Sequence, residues 1–501
     1  MAFRIAVPVF GGAYVGSDQL SFFLNWNRLM HCPLRVPLFA VIFFCMLSDL
    51  AIAKPNVLLI AVDDMNDWVG CLQGHPDARS PNIDRLASRG VLFSNAHCQA
   101  PICNPSRVSI MFGLRPSTSG VYQNSPSPWS VASLKGKPTM PRYFGQHGYA
   151  TYTTGKIYHG SGLRPGEFQH VGPRPGQRLK IDARLVRESK QKGAARGLWD
   201  FGPQSYPEDQ FADHQTASWA IESLQNHHHQ HPDKPFFMAI GFYRPHVPLY
   251  SPQRVFDEIP TDEIELPVVK LDDRDDLPQI VDTLTVPPVA PTHQWFVDSG
   301  RWQEAVQSYL ACIRWTDEQI GRLLDALDDS PHADNTIVVL FSDHGFFLGE
   351  KQRWAKQSLW ERATRVPFVI RAPGLSSGVR CSRPAELLSI FPTLIDLCDM
   401  TPLDGLEGVS LRPLLADAEA DWPHMAVTTF GQHNHAVRTE THRYIRYQDG
   451  SEELYDLRAD PHEWNNIADV AANRPLIEKL ATYFPNVNVP DAKRVKSPKA
   501  K

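Results

Sequence analysis

The sequence carries little excess charge of either sign: 50 Lys and Arg stand against 55 Asp and Glu in 501 residues, a formal net charge of −5. Without a basic surplus the chain has no electrostatic footprint for nucleic acid. Cysteine is scarce, with eight residues scattered along the chain, which excludes a small disulfide-built scaffold. Glycine, at 31 residues, is outnumbered by 42 prolines, a balance that favours ordered loops over long flexible linkers. Charged residues at 21% and hydrophobic residues at 42% exclude disorder, collagen and coiled coil. What is present is a globular chain long enough for one large domain carrying a smaller one.

The first fifty residues read as an export signal. Arg35 precedes the apolar run Val36 to Leu47, and Ala51-Ile52-Ala53 offers small residues where a signal peptidase reads, so cleavage is expected after Ala53. A retained anchor is the alternative, but the run is shorter than the roughly 20 residues a membrane-spanning helix needs. Met30 lies at the usual distance upstream for a start codon, so residues 1–29 are expected to be an over-extended reading frame. The mature chain is then expected from near Lys54, in a periplasmic, secreted or lysosome-like compartment, with no stable membrane span. Cys32 and Cys45 leave with the signal; Cys71, Cys98, Cys103, Cys312, Cys381 and Cys398 remain.

From Lys54 onward the pattern is α/β. Asn56 to Val62 is a continuous apolar run bounded by Pro55 and Asp63-Asp64, as a strand buried on both faces reads. Ser80 to Gly90 predicts a short helix with a polar start and a Gly stop. Further strands are predicted over Val91 to Ala96, Pro235 to Phe242, Thr336 to Phe341 and Val366 to Arg371, and helices over Gln215 to Gln225 and Val306 to Leu327. Two of the strands end alike, one in Asp63-Asp64 and the other in Ser342-Asp343-His344. Either pair alone reads as a helix cap or a solvated strand end. Ligands of open parallel sheets, however, bind outside the carboxyl ends of strands. Together the two pairs predict three carboxylates and an imidazole converging, a concentration of negative charge that calls for a cation.

Between the two clusters lies Cys103-Asn104-Pro105-Ser106-Arg107. C-x-P-S-R is the signature of the sulfatases, and the chain resembles that family from about Asn56 to about Asp469; the bland alternative for Cys103 is a buried inert thiol. Where the family next reads L-x-T-G-R, this chain has Ile110, Phe112, Gly113 and Arg115 without that string. The resemblance implies an alkaline-phosphatase-like α/β fold. Its catalytic domain would span 54–415, with a large mostly parallel central sheet flanked by helices. A small C-terminal subdomain over 416–490, an antiparallel sheet with a helix, would follow, between the extension 1–53 and a disordered basic tail, 491–501.

The resemblance further implies that Cys103 is oxidised to formylglycine by a formylglycine-generating or anaerobic sulfatase-maturating enzyme. The hydrated aldehyde has two hydroxyls on one carbon: one attacks sulfur and displaces the alcohol, and the other loses its proton so that the carbonyl reforms and expels sulfate. A thiolate offers no such exit. By the same resemblance Asp63, Asp64, Cys103, Asp343 and His344 bind one divalent cation, calcium in this family, although imidazole is an unusual calcium ligand. The Asp-His pair looks most like the iduronate-2-sulfatase branch. Arg107, one helical turn after Cys103, would hold the diol. Gly155-Lys156-Ile157-Tyr158-His159 resembles the family's G-K-x-x-H, with Lys156 on a sulfate oxygen and His159 taking the second hydroxyl's proton. His246, after Tyr243-Arg244-Pro245, would bind sulfate or protonate the leaving oxygen, and Lys356, after Trp354-Ala355, would contact sulfate and the ester oxygen. Each has a bland counterpart, a solvated lysine or a locally satisfied histidine. His227, His228, His229 and His231 read as an exposed loop beside Pro232-Asp233-Lys234 rather than as a metal site.

None of these motifs names the alcohol half of the ester. Segments from about Ser161 to Gln210 and from Ser251 to Arg301 read as insertions, and loops at strand ends shape the pocket. The iduronate-2-sulfatase resemblance points to a sulfated glycan, a uronate 2-sulfate, whose carboxylate a basic residue of the first insertion is expected to meet. Two other classes stay open. One is a phosphoester or phosphonate hydrolase of the same superfamily, whose members usually carry Thr or Ser as nucleophile and a second metal cluster not evident here. The other is a non-catalytic sulfated-glycan-binding protein, if Cys103 is not converted. At the C-terminus, Met425 to Phe430, Ala436 to Thr439, Tyr444 to Tyr447 and Glu453 to Asp456 predict short strands, and Leu476 to Tyr483 a helix.

Overall fold

The computed structural model describes residues 54–160, 162–174, 199–285 and 290–492. The expected signal peptide and the tail from Lys493 lie outside the described residues. An eight-stranded sheet forms the centre. In chain order its strands are β1 (Asn56–Asp63), β2 (Val91–Phe93), β3 (Ala150–Gly155), β4 (His170–Val171), β5 (Phe236–Pro245), β6 (Thr336–Ser342), β7 (Phe368–Arg371) and β8 (Val379–Cys381). They lie in the order β8-β2-β7-β6-β1-β5-β3-β4. β1 pairs parallel with β5 and β6, and β3 pairs parallel with β5 and β4, whereas β7 runs antiparallel to both its neighbours.

Every residue of β1, β5 and β6 is buried, which is why these strands read as unbroken apolar runs instead of alternating. Their side chains divide by period two. Leu58, Ile60 and Val62 pack with α1 (Pro81–Ala87), α3 (Ala212–Gln230) and α4 (Trp302–Asp328), while Val57, Leu59 and Ala61 pack with α2 (Cys103–Phe112). The result is a large, mostly parallel sheet flanked by helices. Among the described residues no helix is long and apolar enough to cross a membrane.

Several elements depart from expectation. α3 runs to Gln230, so His227, His228 and His229 are helical and not an exposed loop. The reason is spacing: Ala220, Leu224 and His227 continue one buried helix face. His227 is fully buried, with its ring nitrogens meeting the Tyr152 hydroxyl at 3.0 Å and the Lys234 carbonyl at 2.9 Å. β5 extends through Tyr243, Arg244 and Pro245, which the sequence reading placed after the strand. The Val91 to Ala96 strand stops at Phe93, and Ala96–His97 pairs instead with Ala385–Glu386. The second insertion holds short helices, Gln253–Asp257, Ile280–Thr285 and His293–Asp298, among its loops.

A four-stranded antiparallel meander closes the fold: β9 (Ala426–Thr429), β10 (His435–Arg438), β11 (His442–Arg446) and β12 (Glu452–Asp456). One face packs Val437, Tyr444 and Leu454 against Ile477 and Leu480 of α5 (Arg474–Ala481). The other packs Ala436, Ile445 and Tyr455 against Phe347, Trp360 and Ala363. Arg443, from β11, is fully buried at this second contact. It donates to the Leu359 carbonyl at 2.8 Å and the Thr364 hydroxyl at 3.0 Å, pairs with Glu361, and forms an ion pair with Glu463 at 2.7 Å. Removing one partner of such a network leaves buried carboxylates short of a counter-charge. Arg443→Leu is therefore expected to cost about 3–5 kcal/mol of stability, read as a lowered denaturation midpoint; an unchanged midpoint would show that the pairs add nothing net.

Candidate active site

The site is assembled by strand register. β1 and β6 pair with Val62 opposite Ser342, so Asp63 and Asp343 emerge side by side at the carboxyl end of the sheet. The Asp343 amide donates to the Val62 carbonyl at 3.1 Å, and the Asp64 amide to the Asp343 carboxylate at 3.2 Å. The chain turns at Asp64 with φ 64°, a left-handed conformation uncommon outside glycine. Tyr309 of α4 holds this turn: its hydroxyl donates to the Asp64 carbonyl at 2.7 Å and accepts from the Asn66 amide at 2.9 Å. On the other side of β1 the register slips after Val62, placing Pro245 opposite Asp63 and bringing His246 to the same edge. Asp213 at the start of α3 supports that edge by accepting from the Tyr243 and Arg244 amides at 2.7 and 3.0 Å. Beyond β5, the Lys156 amide donates to the Gly241 carbonyl at 2.8 Å. A Cβ on Gly155 would lie 2.0 Å from that same carbonyl oxygen, and one on Gly241 2.1 Å from the Lys156 carbonyl oxygen. The glycine of the G-K-x-x-H segment is thus demanded by the approach of two strands.

α2 begins at Cys103, and all its residues are buried. Arg107, one turn on, donates through Nε to Asp343 at 2.7 Å, through Nη2 to Asp63 at 3.2 Å, and through Nη1 to the carbonyls of Lys156 and, at 3.2 Å, Ile157. Ser106 adds a hydroxyl bond to the Asp343 carbonyl at 2.5 Å. The Cys103 sulfur then lies 3.3 Å from His344 Nε2, 3.2 Å from Lys356 Nζ and 3.9 Å from Asp64 Oδ1. Lys356 also donates to Asp64 Oδ1 at 2.6 Å, Lys156 pairs with Asp63, and His246 Nε2 stands 3.9 Å from Asp64 Oδ2. Of the residues singled out from the sequence, Asp63, Asp64, Cys103, Arg107, Lys156, His246, Asp343, His344 and Lys356 lie together in the cluster, and His159 follows Lys156 by three residues.

The three carboxylates are not left to a metal alone, as the sequence reading supposed, because Arg107, Lys156 and Lys356 each face at least one of them. Room for a cation remains. Asp63, Cys103, Asp343 and His344 offer donor atoms all within 4.8 Å of one another, as do Asp63, Asp64, Cys103 and His246. Asp64 Oδ2 is buried with no hydrogen-bond donor, an orphan a buried polar atom seldom is. A carboxylate-rich donor set of this kind fits a hard divalent cation. Burial pushes the Cys103 thiol up, but Lys156, Lys356 and His344 outweigh it and hold the thiol well below its ordinary value. For His344 burial favours the neutral ring, yet Asp343 beside it raises the imidazole to about 9. Against burial, Lys156 is the main influence holding the Asp63 carboxyl below its usual range.

Ser106, Asp213 and Tyr309 escaped sequence reasoning as supporting residues. Ser106 lay inside the signature, whereas nothing local marks Asp213 or Tyr309, whose partners are distant in the chain.

The family described as "Sulfatase" matches residues 55–400, and "N-sulphoglucosamine sulphohydrolase, C-terminal" matches residues 349–489. A sulfatase of Formosa agariphila is 39% identical over 469 residues, covering 90% of this chain and 92% of that protein. Iduronate 2-sulfatase of Homo sapiens is 34% identical over 386 residues, covering 72% of this chain and 68% of that protein. Among solved structures, the phosphonate monoester hydrolase of Agrobacterium radiobacter superposes with a TM-score of 0.70 at 22% identity, covering 86% of this chain and 94% of that one. That last likeness is one of fold and does not choose between sulfate and phosphonate. The family match runs through all eight strands of the central sheet and shows the family: the chain belongs to the sulfatase family.

Proposed function

We propose that the protein, exported from the cytosol, hydrolyses a sulfate ester of a sulfated carbohydrate, a uronate 2-sulfate, using a formylglycine made from Cys103 and one bound Ca²⁺. One observation carries the reading: the signature cysteine heads a buried helix with an ammonium and an imidazole within 3.3 Å of its sulfur. The iduronate 2-sulfatase likeness supports the substrate. Asp63, Asp64, Asp343 and His344 would hold the cation, which supplies neutralisation of sulfate oxygens and a lowered pKa for the nucleophile. A formylglycine at position 103 supplies a geminal diol that can release sulfate where a thiolate could not.

The remaining work falls to fixed side chains. Lys156 and Lys356 flank position 103 and hold sulfate oxygens, and they stabilise the charge that builds there as the ester bond breaks. Lys356 and His246 border the same edge and can deliver a proton to the departing alcohol oxygen. His159, three residues after Lys156 with its Nδ1 buried and unpartnered, takes the proton whose loss releases sulfate. Arg107 holds the carboxylates of Asp63 and Asp343 in place and is a positioning residue.

Peptide mass spectrometry of protein co-produced with a maturing enzyme should show Cys103 converted; a thiol that persists there would overturn the catalytic reading and leave a sulfated-glycan binder. On a panel of sulfated disaccharides, turnover is expected with 2-sulfated uronates of heparin and dermatan type, and Cys103→Ala should abolish it with the circular dichroism unchanged. Activity confined to algal fucans would refute the uronate. Lys356→Met should lower kcat by about 10²- to 10⁴-fold. Chelation should remove activity, with Ca²⁺ restoring it; full turnover in the presence of excess chelator would rule out the cation.

A further inference from the structure

We propose that Arg174, together with the Tyr243 hydroxyl, forms a carboxylate-binding subsite beside the reaction centre, where the acid group of the uronate docks. The inference rests on the sulfatase reading above and names the residues that would set its substrate class.

Arg174 follows β4 in the first insertion. Its Nη2 donates to the Gly160 carbonyl at 3.1 Å and the Tyr158 carbonyl at 3.4 Å, and its Nε to the Gly155 carbonyl at 3.4 Å. These three carbonyls belong to the segment that carries Lys156 and His159, so the guanidinium is fixed to the backbone of the sulfate-holding loop. Nη1 is buried with no hydrogen-bond partner, and among the described residues no carboxylate pairs with Arg174. Neutral carbonyls orient a guanidinium without balancing its charge. Arg107, buried nearby, shows the contrast, since two carboxylates compensate it. A half-buried arginine held in one orientation, with part of its fork unpaired and no counter-ion among the described residues, is the side chain best suited to receive a planar anion.

Tyr243 supplies the second group. Its side chain is nearly buried, at 8% exposure, and among the described residues its hydroxyl makes no hydrogen bond. Burial raises that phenol above its ordinary value, and the charges of Arg174, Lys156, Asp213 and Asp63 all act on it. Gly155, whose carbonyl accepts from Arg174, pairs with Gly241 two residues before Tyr243 in β5, and Asp63 lies opposite Pro245 two residues after it, so the tyrosine and the arginine belong to the same group of strand ends as the Lys156–Asp63 pair. His159 Nδ1, on the same loop, is another buried atom without a partner. In a uronate 2-sulfate the ester and the acid project from opposite sides of one pyranose ring. Recognising both takes two adjoining cationic positions, and the loop that carries Lys156 also holds the Arg174 guanidinium through its carbonyls. A neutral sugar would leave the guanidinium buried and uncompensated, which selects against it.

The test compares kcat/KM for a 2-sulfated uronate disaccharide, its carboxyl-reduced analogue and p-nitrophenyl sulfate, in the wild type and in Arg174→Met, Arg174→Lys and Tyr243→Phe. The wild type is expected to prefer the uronate over its reduced analogue. Arg174→Met should cut that preference roughly 10- to 100-fold, as loss of a charge-assisted hydrogen bond would, mainly through KM. Arg174→Lys should recover part of it, a result a merely structural role would not give, and Tyr243→Phe should reduce it by a smaller factor. A preference that is absent in the wild type, or unchanged in Arg174→Met, would overturn the subsite while leaving the sulfatase reading intact. A wild type with converted Cys103 that turns over none of the three sulfates would overturn the sulfatase reading itself.

Discussion

The arrangement depends on one buried guanidinium. Arg107 is 1% exposed and spans the carboxylates of Asp343 and Asp63 and the carbonyls of Lys156 and Ile157. Those groups come from the ends of β1 and β6 and from the turn after β3, segments far apart in the chain. Two carboxylates side by side at parallel strand ends repel each other, and a buried arginine without anions is costly to desolvate. Each problem is the remedy for the other. Arg107 between the strand ends, with Lys156 on Asp63, offsets the repulsion, and the two acids in turn compensate the guanidinium that α2 buries. Since Cys103 lies one turn before Arg107, the same contact fixes the reactive position relative to the acids. A lysine could not replace it, because a point charge cannot satisfy two carboxylates and two carbonyls at once.

Around this fixed centre the field is nearly balanced. Arg107, Lys156 and Lys356 oppose Asp63, Asp64 and Asp343, and the two lysines also favour the ionised form of the Cys103 thiol. A divalent cation added to such a site tips it positive at the point where a sulfate would arrive. The weak net charge of the whole chain, −5, is then no obstacle to binding a polyanion, since a local, water-poor cluster acts at short range where bulk screening counts for little.

How much of this could be read from the residues follows from how each feature is encoded. The long parallel strands were legible because both faces are buried, so their sequences are apolar without interruption. The paired acids were legible because they interrupt that pattern at its end, and Cys103 and Arg107 because they sit within one short segment. Features created by pairing between distant segments were not. The register slip that sets Pro245 beside Asp63, the Tyr309 hydroxyl that holds the left-handed turn at Asp64, and the Asp213 carboxylate under Tyr243 and Arg244 all depend on partners far along the chain. The histidine run was misread for a related reason: polar residues at a helix end look like a loop until a buried tyrosine and a carbonyl are found to satisfy His227.

If Cys103 is converted as proposed, the burial of α2 also orders events in the life of the chain. Cys103 is 0% exposed, every residue from Cys103 to Phe112 is buried, and the backbone there is already helical. An oxidising enzyme that must seat this segment in its own active site cannot reach it in the folded protein without undocking Arg107 from both carboxylates, and with it the junction of the central strands. Local opening of that kind approaches the cost of global unfolding, because the segment belongs to the most cooperative part of the core. On the proposed reading, conversion of Cys103 therefore precedes formation of the Arg107 contact. Once α2 has docked, a cysteine that has escaped conversion is sealed in as a thiol, so the contact that builds the site also closes the window in which its nucleophile can be made.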